Sequence, residues 1–225
     1  MKRIRPSNEA EMIAEFLRQE YASRARYGAR LDACLGDEGI HARLIAEPDL
    51  ADQGENTARR RLFGRYRGYG SAEPSYLTGF PTAGVDWFWA ELGREEVPRV
   101  RYIRYSYWTA LSAGTRSPAV AAAGIHAGIE VYGVSNAGFL ELAGRLREGL
   151  RVPPLILVTA LATALATALA TALATALTPA TDADGLVVLE GHARLTAYAL
   201  APEAIPDELE VLVGASPAIA RWDEY

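Results

Sequence analysis

The chain has a single cysteine, Cys34, among its 225 residues. A lone thiol excludes an intramolecular disulfide framework and fits a reducing compartment. Histidine is nearly as scarce, with three in the chain. His41 and His126 stand at no metal-ligand spacing to each other or to Cys34, so no metal centre is expected. A Walker loop and a Gly-x-Ser-x-Gly elbow are absent too, which removes two common routes to phosphoryl and acyl chemistry. The opening MKRIRPSNEAEMIAEF has no uninterrupted apolar run of the kind a secretory leader carries, so a cytoplasmic protein is expected. Basic residues run short toward the end: residues 151–225 carry 3 Lys/Arg against 9 Asp/Glu, whereas residues 1–70 carry 13 against 11. The acidic third repels polyanions, so any such contact is expected from the N-terminal half.

Half of the chain is apolar, enough for one domain or two small ones with real cores. Asn8 and Glu11 make a capping pair ahead of Met12, Ile13, Phe16, Leu17 and Tyr21, which recur at helical spacing. A second helix is expected through ENTARRRLFGRYRGYG, ending at its glycines. Its Arg59, Arg60, Arg61, Arg65 and Arg67 form the densest positive cluster of the chain. A solvated helix face is the plain reading of that cluster, and an anionic partner is the functional one. GSAEPSYLTGFPTAG reads as a loop. Trp87, Phe88, Trp89, Tyr102, Tyr105, Tyr107 and Trp108 follow, interleaved with Arg101 and Arg104. Such a block can stack bases, but rings of this kind are more often core anchors crossed by arginine stems.

Further on, a weak helix is expected through Val120–Ile125, and a better one begins near Ser135 or Asn136 and stops at Gly149. PPLILV (153–158) then reads as a buried strand. From Thr159 to Thr178 the chain repeats Thr-Ala-Leu-Ala, with leucines at 161, 165, 169, 173 and 177. Four residues overshoot a helical turn by about 40°, so this leucine stripe would spiral around a helix. Twenty helical residues would span about 30 Å, the depth of a bilayer core. Ala and Thr gain little from lipid, however, and no aromatic belt flanks the repeat. An overgrown, helical loop over 159–181 between two pairing strands is the expectation, and a membrane span is not.

The chemistry concentrates after the repeat, where LVVL (186–189) is an apolar strand and EGHARLTAYAL (190–200) a turn and a helix. A glycine between a strand and a helix lets backbone approach a ligand closely. Main-chain N–H groups and the positive end of the dipole favour an anion there. Arg194 offers a bidentate clamp for phosphate oxygens, His192 a donor, and Glu190 a base or a ligand for a divalent ion. LEVLVG (209–214) closes the unit as a strand. The tetrapeptide HARL also occurs at 41–44 without such a setting. The weight therefore rests on the strand, turn, helix and strand together.

The order of a helix, PPLILV, a loop, LVVL, EGHARLTAY and LEVLV resembles the ParB/sulfiredoxin-like superfamily over about residues 100–220. The turn is most similar to the Asp-Gly-His-x-Arg version of free serine kinase-like proteins, with Glu190 in place of the aspartate. The resemblance implies a nucleotide-phosphate site on Gly191, His192 and Arg194, with Thr196 on the same helix and Arg116 of GTRSP assisting from upstream. It implies a nucleoside triphosphate with Mg2+ as cofactor, and Glu190 and His192 as the catalytic pair if the protein is a phosphotransferase or NTPase. Sulfiredoxin's catalytic cysteine falls at His192, so that reductase activity is not implied. His192 and Ala193 stand in the ParB Gly-Glu-Arg-Arg motif where it has glutamate and its first arginine. CTP hydrolysis is thus not implied, and no helix-turn-helix pattern follows the motif.

The expected fold is α+β: a helical region over 1–100, then a small mixed sheet over 101–225. The expected function is binding of a nucleotide or phosphorylated small molecule, with nucleic acid and membrane well behind as partners. The alternative is a non-enzymatic interaction protein anchored by the basic helix and the aromatic block.

Overall fold

The computed structural model describes residues 1–23, 27–72, 74–160 and 185–225. Apart from Thr159 and Ala160, the Thr-Ala-Leu-Ala repeat lies outside the described residues, and so does its expected helical form. The protein is α+β, with a five-stranded mixed sheet in the order β1-β2-β5-β3-β4. Two compact units make up the chain: Ser7–Trp87, and Met1–Pro6 together with Phe88–Tyr225. The division lies at Trp87–Phe88 and not near residue 100, because strands from both sides of the helical region enter the sheet. These are β1 (Lys2–Pro6) and β2 (Asp86–Gly93), paired antiparallel.

In the N-terminal unit α1 (Glu9–Ala22) opens on Asn8, whose Oδ1 accepts the Glu11 N–H at 2.9 Å. Met12, Ile13, Phe16 and Leu17 are buried on its inner face. The helices α2 (Ala29–Glu38), α3 (Arg43–Ala46) and α4 (Gln53–Arg67) follow. Asp52 caps α4 by accepting from the N–H groups of Gly54 and Glu55, and Gly68 ends it at φ 78°. Left-handed backbone at that position suits glycine, which has no Cβ to clash. Phe16 of α1 meets Phe63 of α4 with ring centroids 4.7 Å apart.

In the C-terminal unit β3 (Leu155–Thr159) is central, antiparallel to β4 (Val187–Glu190) and parallel to β5 (Glu208–Ala215). All five β3 residues are buried, as a strand covered on both faces requires. On one face Leu155, Leu157, Val188, Val211 and Val213 join a core filled from α6 (Pro118–His126), α7 (Ala137–Arg147) and α8 (His192–Leu200). Ile125, Phe139, Leu146, Leu195 and Tyr198 are the main helical contributions. The short α5 (Ser106–Leu111) precedes them. Trp87, Phe88, Trp89 and Tyr102 are buried, whereas Tyr105 is 47% exposed. Among the described residues no helix is long and apolar enough to cross a membrane.

Candidate functional site

The turn between β4 and α8 is built around a glycine that no other residue could replace without movement. Gly191 has φ 103°, and a Cβ there would stand 2.6 Å from Leu155 Cδ2 and 2.8 Å from Arg194 Nη2. The close approach to β3 and the left-handed backbone together demand the missing side chain. Gly191 caps α8 without a side-chain hydrogen bond, so the helix opens on main chain alone.

Arg194 turns back over this glycine. Its Nη1 donates to the main-chain oxygen of Pro153 at 3.0 Å, and its Nη2 to Glu190 Oε1 at 3.2 Å. The side chains are 10% and 17% exposed: Arg194 is buried with Gly191 and His192, and Glu190 is the partly exposed member of the corner. Burial pushes the Tyr198 phenol up, and the positive Arg194 opposes that shift. The structure thus brings Glu190, Gly191 and Arg194 into one corner.

The other expected residues are placed differently. The His192 ring stacks on Trp108 at 4.9 Å with an interplanar angle of 13°, and lies 6.3 Å from the Tyr102 ring. Thr196 is fully buried, its Oγ1 donating to the His192 main-chain oxygen and standing 2.7 Å from the Tyr102 hydroxyl. It therefore faces the interior. Arg116 donates through Nε to the Tyr102 main-chain oxygen at 2.7 Å and through Nη1 to that of Tyr225 at 2.8 Å. The Tyr225 hydroxyl in turn reaches Gly185, at the start of β4, whereas Gly191 follows its end. Pro153, Leu155, Tyr102 and Trp108 were not anticipated around the turn. Pro153 and Leu155 come from the PPLILV strand expected to pair with LVVL, and Tyr102 and Trp108 from the aromatic block.

Among the described residues no three His, Cys, Asp or Glu side chains are grouped to hold a metal. The arginines of α4 are matched by acids within their own unit. Arg59 pairs with Glu55, Arg60 with Glu9, Arg61 and Arg65 with Glu38, and Arg67 with Glu20. That matching lowers the positive field which the helix presents to a partner.

No family model matches the chain, and no solved structure matches it. Among curated proteins it is similar to a mitochondrial intermediate peptidase of Aspergillus clavatus, 32% identical over 145 residues. The aligned stretch is 63% of this chain, and the chain spans only 17% of the peptidase's length. A similarity to so small a share of a larger protein carries neither family nor activity across.

Proposed function

We propose that the C-terminal unit binds a nucleoside triphosphate as its Mg2+ complex, with the phosphates received at the Glu190–Arg194 turn. One observation carries the reading: the Arg194 guanidinium lies over a bare glycine at the opening of α8, against a carboxylate it can exchange. Its contact with Glu190 is 3.2 Å, long for a charge-assisted bond. Phosphate oxygens are a better bidentate match for the guanidinium fork, and the first turn of a helix favours their charge.

Exchange of partners would open the Arg194 side of the Glu190 carboxylate to a cation. With no three-acid cluster among the described residues, the turn fits magnesium as the nucleotide's own ion, with Glu190 as a protein ligand. Magnesium would neutralise phosphate charge there. In a phosphotransferase or NTPase the same carboxylate would take the proton of the attacking hydroxyl or water. Arg194 would hold the phosphates in place, while the stacked His192 ring would fix the pitch of α8 beneath them. The resemblance to the ParB/sulfiredoxin-like superfamily supports this assignment from sequence.

Calorimetry and thermal unfolding with ATP, CTP and GTP in the presence of Mg2+ test the proposal. Ligand at a hundred times its dissociation constant should stabilise the protein by about 2.7 kcal/mol. Arg194→Ala should weaken binding by about tenfold or more, with Arg194→Lys between, since lysine keeps charge and loses the fork. No stabilisation by any of the three, or equal affinity in Arg194→Ala, ends the reading.

A further inference from the structure

We propose that Arg101, Arg104 and Arg116 form a separate anion site, which takes the phosphate of a small aromatic phosphate ester whose ring lies in the adjoining cleft. The residues after Val100 run beside β4. Arg101 N–H donates to Leu186 at 2.9 Å, Val188 N–H donates to Arg101 at 2.8 Å, and Arg104 N–H donates to Glu224 at 2.8 Å. Arg116 is tied to the same segment, since Tyr102 N–H donates to its main-chain oxygen at 3.0 Å. The main chain of all three arginines is thereby held at one edge of the unit, at the far end of β4 from Gly191.

Their charge is only partly answered. Arg116 Nε and Nη1 have main-chain acceptors, but Nη2 is buried with no hydrogen-bond partner among the described residues. Burial, helped by the neighbouring Arg104 and Arg101 charges, holds the Arg116 guanidinium below its ordinary pKa. Arg101 donates to the Thr115 main-chain oxygen at 3.2 Å and makes no ion pair among the described residues. Glu224 faces the cluster and offsets part of its charge; its Oε2 is buried with no hydrogen-bond partner among the described residues, and burial beside Asp223 pushes its carboxyl up while Arg116 opposes that shift. Arg116 also sits in left-handed backbone at φ 62°. Strain and like charge collected in one place are costly, and an oxyanion answers the electrostatic part of that cost.

The space beside the cluster defines the rest of the ligand. A cleft of about 740 Å3 is lined by Arg104, Glu224, Tyr105 and Tyr132, among others. Tyr105 is 47% exposed and Tyr132 70% exposed, the latter at φ 53°. Two accessible rings beside a guanidinium suit a flat group with a phosphate attached. Arg104, exposed, lines that cleft; Arg101, also exposed, lies beyond its lining, and Arg116 supplies charge from beneath.

Titration calorimetry with inorganic phosphate and phenyl phosphate, at constant ionic strength, tests the site on the full chain. Wild-type protein should bind both, phenyl phosphate more tightly. The Arg101→Ala/Arg104→Ala variant, altered only at exposed positions, should lose about tenfold for both, as expected for charge-assisted bonds. Tyr132→Ala should lose the preference for phenyl phosphate alone. Unchanged affinity in the double arginine variant overturns the site, as does wild-type protein that binds neither ligand. A loss in Arg194→Ala matching that of the double variant moves the anion to the Gly191 turn and overturns it equally.

Discussion

Gly191 passes so close beneath Arg194 that a single added carbon would come within 2.8 Å of its Nη2. The bare backbone and the guanidinium are therefore one fitted unit, held from below by Leu155.

Gly191→Ala tests that fit. The new methyl would also meet Leu155 Cδ2 at 2.6 Å, in backbone at φ 103° that alanine avoids. Left-handed strain and overpacking each cost about 1–3 kcal/mol. Urea unfolding should show a loss of about 2 kcal/mol or more; a loss below about 0.5 kcal/mol would mean that the turn has room to relax.

Inside the N-terminal unit Glu20 accepts from Arg67 Nε at 2.9 Å and from its Nη2, with both side chains buried. The Arg67 guanidinium also lies 4.3 Å from the Tyr66 ring centroid. Arg67→Met strands a buried carboxylate and should cost about 3–5 kcal/mol, whereas Glu20→Leu/Arg67→Met together should recover most of it. Equal losses in the single and double variants would show that packing, and not the orphaned charge, sets the cost.

Thr196 and Tyr102 share a buried hydroxyl contact of 2.7 Å. Thr196→Val should cost about 1–3 kcal/mol by leaving the phenol without its partner. Adding Tyr102→Phe should restore part of that, and a double-mutant cycle reads the coupling directly. Strict additivity would deny the hydrogen bond any energetic role.

The Asp49 N–H, at 3.1 Å, is the main cause holding the Glu55 carboxyl below its ordinary value of 4.5, with Arg59 and Arg43 adding to it. A depressed folded-state pKa means the unfolded chain binds the proton more readily. Stability from Glu55 is thus present above 4.5 and lost as pH falls through the lower folded value. Glu55→Gln should flatten the acid limb of a stability–pH curve below that point, and an identical limb in the variant would count against the linkage.

Much of the local structure was legible in the residues. Asn8 starts α1, Gly68 ends α4, and PPLILV, LVVL and LEVLVG are β3, β4 and β5, with α8 between the last two. The sheet's membership was less so. The exposed, charged KRIRP and the aromatic DWFWAELG have no apolar run of their own kind to mark them as a pair. Arg116 could be found as a lone arginine after a turn, but its partners, Tyr102 and Tyr225, come from distant segments.

Sequence alone determined α1, α4, α6 to α8 and β3 to β5, because caps, glycines and apolar spacing act over a few residues. Only the tertiary structure decided what each charge meets: Arg194 its own Glu190 and Pro153, the α4 arginines their acids, and Arg116 the main-chain oxygens of Tyr102 and Tyr225. Such pairings depend on segments brought together by core packing, and a guanidinium's long side chain reaches whichever acceptor that packing leaves nearest.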